Sequence, residues 1–367
     1  MSYKLLGEGV LVLSSRLDEL SKVESIIFDC DGTLIDVSKS YYLAIKLTAL
    51  MILKEMYGIY LKLGSDVNEL IDVLKMLGGF NNDWNTSSIL IQAVLLNVDS
   101  IEMIKEDLDE IRIDEYLRNV VDGESFPKHV KSSIEWMKNL VSKYAGKYLK
   151  MEDVESILDE EARKRGKLEH LKRLRAMLGP LTAYGAGILT TLFDEIYLGE
   201  EGILKKYGSK PKYVSWRGAI ENETFFIDEE ILKELFETAP KGLAIVTGRG
   251  RWETEKALKQ LVKYFDMDAS IFVADAPENP EKPDPAGLIE CAKRLQAEKV
   301  LYVGDSAEDL ILVKKAAERG LDALFAGVLT NENSVNFFME NEADAIIEEI
   351  NKLPRILKRQ EALWRPF

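Results

Sequence analysis

Thiols and imidazoles are scarce in this chain of 367 residues, which holds two cysteines, Cys30 and Cys291, and two histidines, His129 and His170. So few thiols give no disulfide framework, and with it no sign of an oxidising compartment. A Ser-His-Asp or Cys-His site, or a zinc site rich in His and Cys, has little to be built from. Long apolar runs are missing as well. The N-terminal apolar residues Leu5, Leu6 and 10–13 are interrupted by Gly7, Glu8 and Gly9, too short a run for a secretory leader. Nothing approaches the roughly 18 consecutive apolar residues of a membrane span. The cytoplasm is therefore the expected compartment. Positive charge is in deficit, with 48 Lys and Arg against 63 Asp and Glu and a net charge of −15. That balance argues against a general affinity for nucleic acid or anionic membrane.

What remains is ordinary for a soluble protein with a real core: 46% hydrophobic and 30% charged residues. The length predicts two folding units. With so few histidines and cysteines, any chemistry falls to carboxylates. Short apolar runs at 23–29, 243–246, 271–273, 300–303, 323–325 and 345–347 read as strands buried on both faces. Helical patterns separate them. Trp252, Leu258, Leu261, Val262 and Phe265 share one helical face, and Asp284-Pro285 reads as a helix start. Ser306 can cap a helix that turns Leu310, Val313 and Ala317 inward, and Asp228 likewise precedes Ile231, Leu232, Leu235 and Phe236. The expected fold class is α/β, a doubly wound, Rossmann-like parallel sheet.

Between the first strand and the second the chain changes character. Helical patterns run over 38–56, stopped by Gly58, and over 67–77, 101–117, 130–144 and 154–177, with turns at Asp122-Gly123 and Gly179-Pro180. The predicted organisation is a core of 1–36 and 225–367, with an inserted, mostly α-helical cap domain of 37–224 acting as a lid over the strand ends. The basic run Arg163-Lys164-Arg165-Gly166-Lys167, continued by Lys172, Arg173 and Arg175, reads as a solvated helix face rather than a phosphate or nucleic-acid patch.

Four segments fall where the strands end, the place at which open α/β sheets bind ligands. The first is Phe28-Asp29-Cys30-Asp31-Gly32-Thr33-Leu34. Its two aspartates can reach one phosphate, one attacking phosphorus while the other trades protons. Burying both charges implies a divalent cation. In the second, Thr247-Gly248-Arg249, a hydroxyl and a glycine amide can hold phosphate oxygens. The third places Lys282 just before a helix start, suited to neutralising a phosphoryl group. The fourth carries Asp305 at a strand tip and Asp309 one helical turn on, further acidic groups for a magnesium site. Cys30 lies between the two acids, but strand alternation turns its side chain away from both. Arg249 and Arg251 could touch substrate or simply start an exposed helix.

Taken together and in this order, the segments resemble the four signature motifs of the haloacid dehalogenase (HAD) superfamily. The resemblance covers about residues 22–36 and 225–350. It identifies a phosphatase-type member with an enlarged helical type 1 cap, about twice the common size. The segment from Gly78 to Trp84 is similar to one in the phosphoglycolate-phosphatase-like group. Asp31 distinguishes the chain from the family's dehalogenases, phosphonatases and transport ATPases, and points to phosphate esters. The resemblance implies that Asp29 attacks phosphorus to give an aspartyl-phosphate, and that Asp31 is the acid and then the base. It implies that Mg²⁺ is held by Asp29, the Asp31 main-chain carbonyl and Asp305. Thr247 and Gly248 would bind phosphate, Lys282 would offset charge, and Asp309 would orient Lys282 or a metal-bound water.

The expected function is a Mg²⁺-dependent phosphatase acting on a small-molecule phosphomonoester, with neither nucleic acid nor membrane as partner. A phosphotransferase or phosphomutase using the same chemistry, and a non-catalytic binding protein, are the alternatives. A receiver domain would lack the large insertion and the Asp-x-Asp-Gly-Thr order. Asn82 and Trp84, after the Gly78-Gly79 turn, are candidates for reading the leaving group. They could equally cap the next helix and pack in its core.

Overall fold

The structure, a computed structural model, describes residues 2–75, 82–121, 128–144, 149–276, 280–329 and 332–358. The expected turns at Gly78-Gly79 and Asp122-Gly123, together with Asn81, lie outside them. The chain forms two compact units, one of residues 1–37 and 223–367 and the other of residues 38–222.

Among the described residues the first unit is built on ten strands: β1 (Tyr3–Leu5), β2 (Val10–Leu13), β3 (Ser25–Phe28), β4 (Ile35–Asp36), β5 (Thr224–Phe225), β6 (Leu243–Thr247), β7 (Ile271–Phe272), β8 (Lys299–Gly304), β9 (Asp322–Val328) and β10 (Ala345–Ile347). Eight of them make one sheet in the order β1-β2-β10-β9-β8-β3-β6-β7. From β10 to β7 every pairing is parallel. Helices connect these strands, so both faces are covered and alternate residues feed different cores. Ile26, Phe28, Ile245, Leu301 and Val303 pack on one side. Ile27, Ala244, Val246, Val300 and Tyr302 pack on the other. This is the doubly wound α/β sheet expected from the six apolar runs.

The N-terminal apolar residues have a role that their interruption concealed. Gly7, Glu8 and Gly9 form the turn between β1 and β2, and β2 pairs antiparallel with β10 at the sheet's edge. A separate two-stranded ribbon pairs Ile35 with Phe225 and Asp36 with Thr224, at the points where the chain leaves and re-enters this unit. The helical face expected over 252–265 is an α-helix only to Leu258, and a tighter 3₁₀ stretch runs from Lys259 to Tyr264.

The second unit is helical. Tyr41–Tyr57, Asp66–Lys75 and Lys128–Lys143 lie within a few residues of expectation. The pattern over 154–177 is two helices, Met151–Lys164 and Leu168–Leu178, because Gly166 at φ +68° takes the left-handed conformation that ends the first. The helix expected over 101–117 forms only at Asp114–Leu117. Elsewhere that segment's backbone pairs with distant partners, the Ile104 N–H with the Met56 carbonyl at 2.8 Å and the Ile111 N–H with that of Tyr213 at 2.7 Å. Those bonds replace the helical ladder. The unit also holds the helix Asp83–Asn97 and the helical run Ile188–Tyr207, which kinks at Gly199. Among the described residues no helix is long and apolar enough to cross a membrane.

Candidate active site

Strands β8, β3 and β6 are neighbours and parallel, so their C-terminal ends open at one place. The order of strand addition reverses beside β3: β6 and β7 are laid down on one side, then β8 and β9 on the other, the arrangement that leaves a crevice for a ligand. Asp29 follows directly on β3. Its Oδ1 accepts the Cys30 N–H at 2.7 Å and the Lys282 ammonium at 2.7 Å. Lys282 also donates to Asp309 Oδ1 at 2.9 Å, so one cation bridges the acid after β3 and one in the first turn of the helix Ala307–Glu318.

Asp309 is held from several directions. Ser306 and Asp309 form a reciprocal helix cap, the Ser306 hydroxyl donating to Asp309 Oδ2 at 2.6 Å and accepting the Asp309 N–H at 3.2 Å. The Tyr302 hydroxyl lies 3.1 Å from Asp309 Oδ1. Such saturation makes Asp309 a support for Lys282. Asp305, at the tip of β8, accepts the Thr33 hydroxyl at 3.2 Å. It approaches the backbone of Gly32 so closely that a Cβ there would lie 2.4 Å from Asp305 Oδ2, and Gly32 itself sits at φ +75°.

Asp29, Asp305 and Asp309 each offer a carboxylate oxygen within 4.8 Å of the others. Burial raises the Asp29 carboxyl to about 7 despite Lys282, with Asp309 and Asp31 adding to the rise. Burial and the charges of Asp309 and Asp29 also hold Asp305 well above the usual carboxylate range. Burial alone would lower Lys282, but Asp29 and Asp309 outweigh it and keep it firmly cationic. The excess negative charge and the all-oxygen donor set suit a hard divalent cation.

Thr247 ends β6 and is buried, its hydroxyl oxygen accepting the Arg249 N–H at 3.3 Å. Beside Gly248 a Cβ would meet nothing within 4 Å, so its backbone borders open space. Asp31 does not join the carboxylate cluster through its side chain, which is ion-paired with Arg249 Nε. Arg249 is thus no exposed helix-start residue. It is buried, and its remaining nitrogens form a fork on Glu223 at 2.8 and 2.8 Å. Arg251 is the exposed one, paired with Glu255 at 2.8 Å and Asp268 at 3.2 Å. Sequence reading missed Glu223 and Tyr302. Glu223 gave no signal, since it lies outside the four segments. Tyr302 could have been found as a hydroxyl two residues before Gly304 on the same strand.

Asn82 and Trp84 belong to the helical unit, and their bonds lie inside it. Asn82 Oδ1 accepts the N–H of Trp84 at 2.9 Å and caps the helix Asp83–Asn97. The Trp84 indole donates to Asp194 Oδ1 at 2.9 Å. The basic run serves the same helix. Lys167 donates to the Leu96 carbonyl at 2.9 Å and Arg165 to Asn97 Oδ1 at 3.0 Å, cations set at a helix C-terminus. Lys172 pairs with Glu169 at 3.0 Å, and Arg175 pairs with Glu155 at 3.2 Å and Asp159 at 2.8 Å. Cys30 is fully buried in the core, and burial pushes its thiol far up, so it is inert.

A family model described as haloacid dehalogenase-like hydrolase matches residues 23–317. The chain belongs to this hydrolase family. Among solved structures it is similar to the X-ray structure of Northeast Structural Genomics Consortium target ZR25, at 18% identity, TM-score 0.57, 93% of this chain and 99% of the other. Phosphatase Tt82 from Thermococcus thioreducens has 23% identity and TM-score 0.52, over 86% and 98%. Both likenesses bear on the fold. A curated relative, the imidazoleglycerol-phosphate dehydratase of Phytophthora nicotianae, is 28% identical over 179 residues. That match takes in 49% of this chain but only 35% of the relative.

Proposed function

We propose that this HAD hydrolase is a Mg²⁺-dependent phosphatase of a small-molecule phosphomonoester, acting in the cytoplasm through an aspartyl-phosphate. One observation carries the reading: Asp29, at the end of β3, shares Lys282 with Asp309 and stands beside Asp305. Residues 1–37 and 223–367 are then the catalytic core, and the inserted helices serve as the cap domain.

In the first step the Asp29 oxygen not held by Lys282 bonds to phosphorus, and the ester P–O bond breaks. The Asp31 carboxyl gives its proton to the departing alkoxide. In the second, water attacks phosphorus, its proton goes to Asp31, and the bond to Asp29 breaks to release inorganic phosphate. Thr247 and the Gly248 amide hold phosphoryl oxygens, and Lys282 offsets their charge, steadied by Asp309 and through it by Ser306 and Tyr302. Asp29, the Asp31 carbonyl and Asp305 would hold Mg²⁺, which when bound neutralises phosphoryl charge.

Turnover of p-nitrophenyl phosphate tests the reading. Asp29→Asn is expected to abolish it with the fold intact, because an amide is a poor nucleophile. Chelation is expected to abolish it too, and Ca²⁺ to fail as a substitute because its longer, looser coordination displaces the reacting groups. Activity of Asp29→Asn within tenfold of wild type, or full activity after chelation, would sink it. Transfer of the phosphoryl group to an added alcohol in preference to water would make the protein a phosphotransferase.

A further inference from the structure

Arg249 meets more than a phosphate-binding turn requires. It is 3% exposed and Glu223 is 1% exposed. The two form a pair of parallel hydrogen bonds, a fork, with Nη1 donating to Oε2 at 2.8 Å and Nη2 to Oε1 at 2.8 Å. Such a fork fixes the guanidinium plane, and so fixes where the remaining Nε–H points. It points at Asp31 Oδ1, on a side chain that is 34% exposed.

We propose that Arg249, locked by Glu223, is the positioning residue for Asp31. This rests on the phosphatase reading, in which Asp31 supplies the proton that the leaving oxygen takes as the P–O bond breaks. Three places in the chain meet at this guanidinium. Arg249 lies two residues beyond Thr247 and donates its own N–H to that hydroxyl at 3.3 Å, so the phosphate-binding turn and the clamp are one piece of backbone. Glu223 is the first residue of the core after the insertion. Asp31 forms a bridge with Ile35, whose strand pairs with the one that follows Glu223. A buried ion pair is a weak device for stability, since apolar residues of like shape often replace it without loss. A third partner that is the proton donor gives the pair a use that stability does not.

The test exploits a difference between leaving groups. An alkoxide needs the proton, whereas p-nitrophenolate departs without much help. The constant kcat/KM reports steps up to phosphorylation of Asp29, the step in which Asp31 acts as acid. The ratio of kcat/KM for a simple alkyl monophosphate to that for p-nitrophenyl phosphate is measured in the full chain with Mg²⁺. It is compared among wild type, Arg249→Lys, Glu223→Gln and Asp31→Asn. Both substrates are read on one sample, so any misfolded fraction cancels.

General acid catalysis contributes about 10²–10⁴-fold, and loosened positioning forfeits part of it. The ratio is therefore expected to fall about tenfold or more in Arg249→Lys and in Glu223→Gln, the direction set by Asp31→Asn. An unchanged ratio in either variant overturns the proposal, however far the individual rates drop. Wild-type protein that turns over neither ester would instead overturn the phosphatase reading.

Discussion

Gly32 carries two constraints at once. Its φ of +75° is a conformation that costs an L-residue roughly 1–2 kcal/mol. The Asp305 carboxylate also occupies the space that a Cβ would take, at 2.4 Å. Gly32→Ala must therefore push Asp305 aside, and Asp305 is one of the proposed metal ligands. We expect Mg²⁺ affinity, measured by titration calorimetry, to fall about tenfold or more for a lost ligand-sized interaction of about 1.4 kcal/mol. The melting temperature should fall only modestly. Unchanged affinity would mean that Asp305 adjusts freely. The same residue-scale reading separates the acids. Asp309 has both oxygens committed to neighbouring donors, whereas Asp305 has the Thr33 hydroxyl on Oδ1.

The helix Asp83–Asn97 is nearly enclosed, with every residue from Thr86 to Leu96 buried. Its start is fixed by Asn82, whose side-chain oxygen takes two backbone N–H groups. Loss of such a cap costs about 1 kcal/mol. Asn82→Ala should thus lower the melting temperature measured by circular dichroism and reduce activity on any two phosphate esters in equal proportion. A loss of kcat/KM confined to one natural ester would establish Asn82 as a reader of the leaving group. This helix also explains what the sequence did not disclose. A helix buried all round has no polar face, so the amphipathic period that marked 130–144 is missing from 83–97. The six parallel strands were legible because each is a short apolar run between turn signals, whereas β1, β2, β4 and β5 were not. The four strand-end segments were legible because each carries its chemistry within a few consecutive residues. Glu223 and the clamp on Asp31 were not, since they join distant parts of the chain. The false helix over 101–117 failed where the backbone found tertiary partners that local periodicity cannot report.

At the scale of the molecule, the carboxylates that would take Mg²⁺ all come from the unit of residues 1–37 and 223–367. A ligand stabilises what it binds, by about 2.7 kcal/mol at a hundred times its dissociation constant. Mg²⁺ should therefore slow amide hydrogen exchange in β3, β6 and β8 and leave the helix Asp83–Asn97 little changed. Protons compete for the same oxygens, and burial already favours the protonated form of Asp29 and Asp305. The protection should then be larger at pH 8 than at pH 5. Exchange that slows equally in both units would contradict this.

The ribbon of β4 and β5 bears on how such a chain can vary. By pairing Ile35 with Phe225 it fastens together the two ends of everything between them. The entropy lost in closing a loop grows only with the logarithm of its length. Once the ends are fastened, the core is nearly indifferent to whether a short turn or a whole helical domain lies beyond them. Lineages could lengthen, shorten or exchange that passenger while the catalytic sheet kept its fold unaltered.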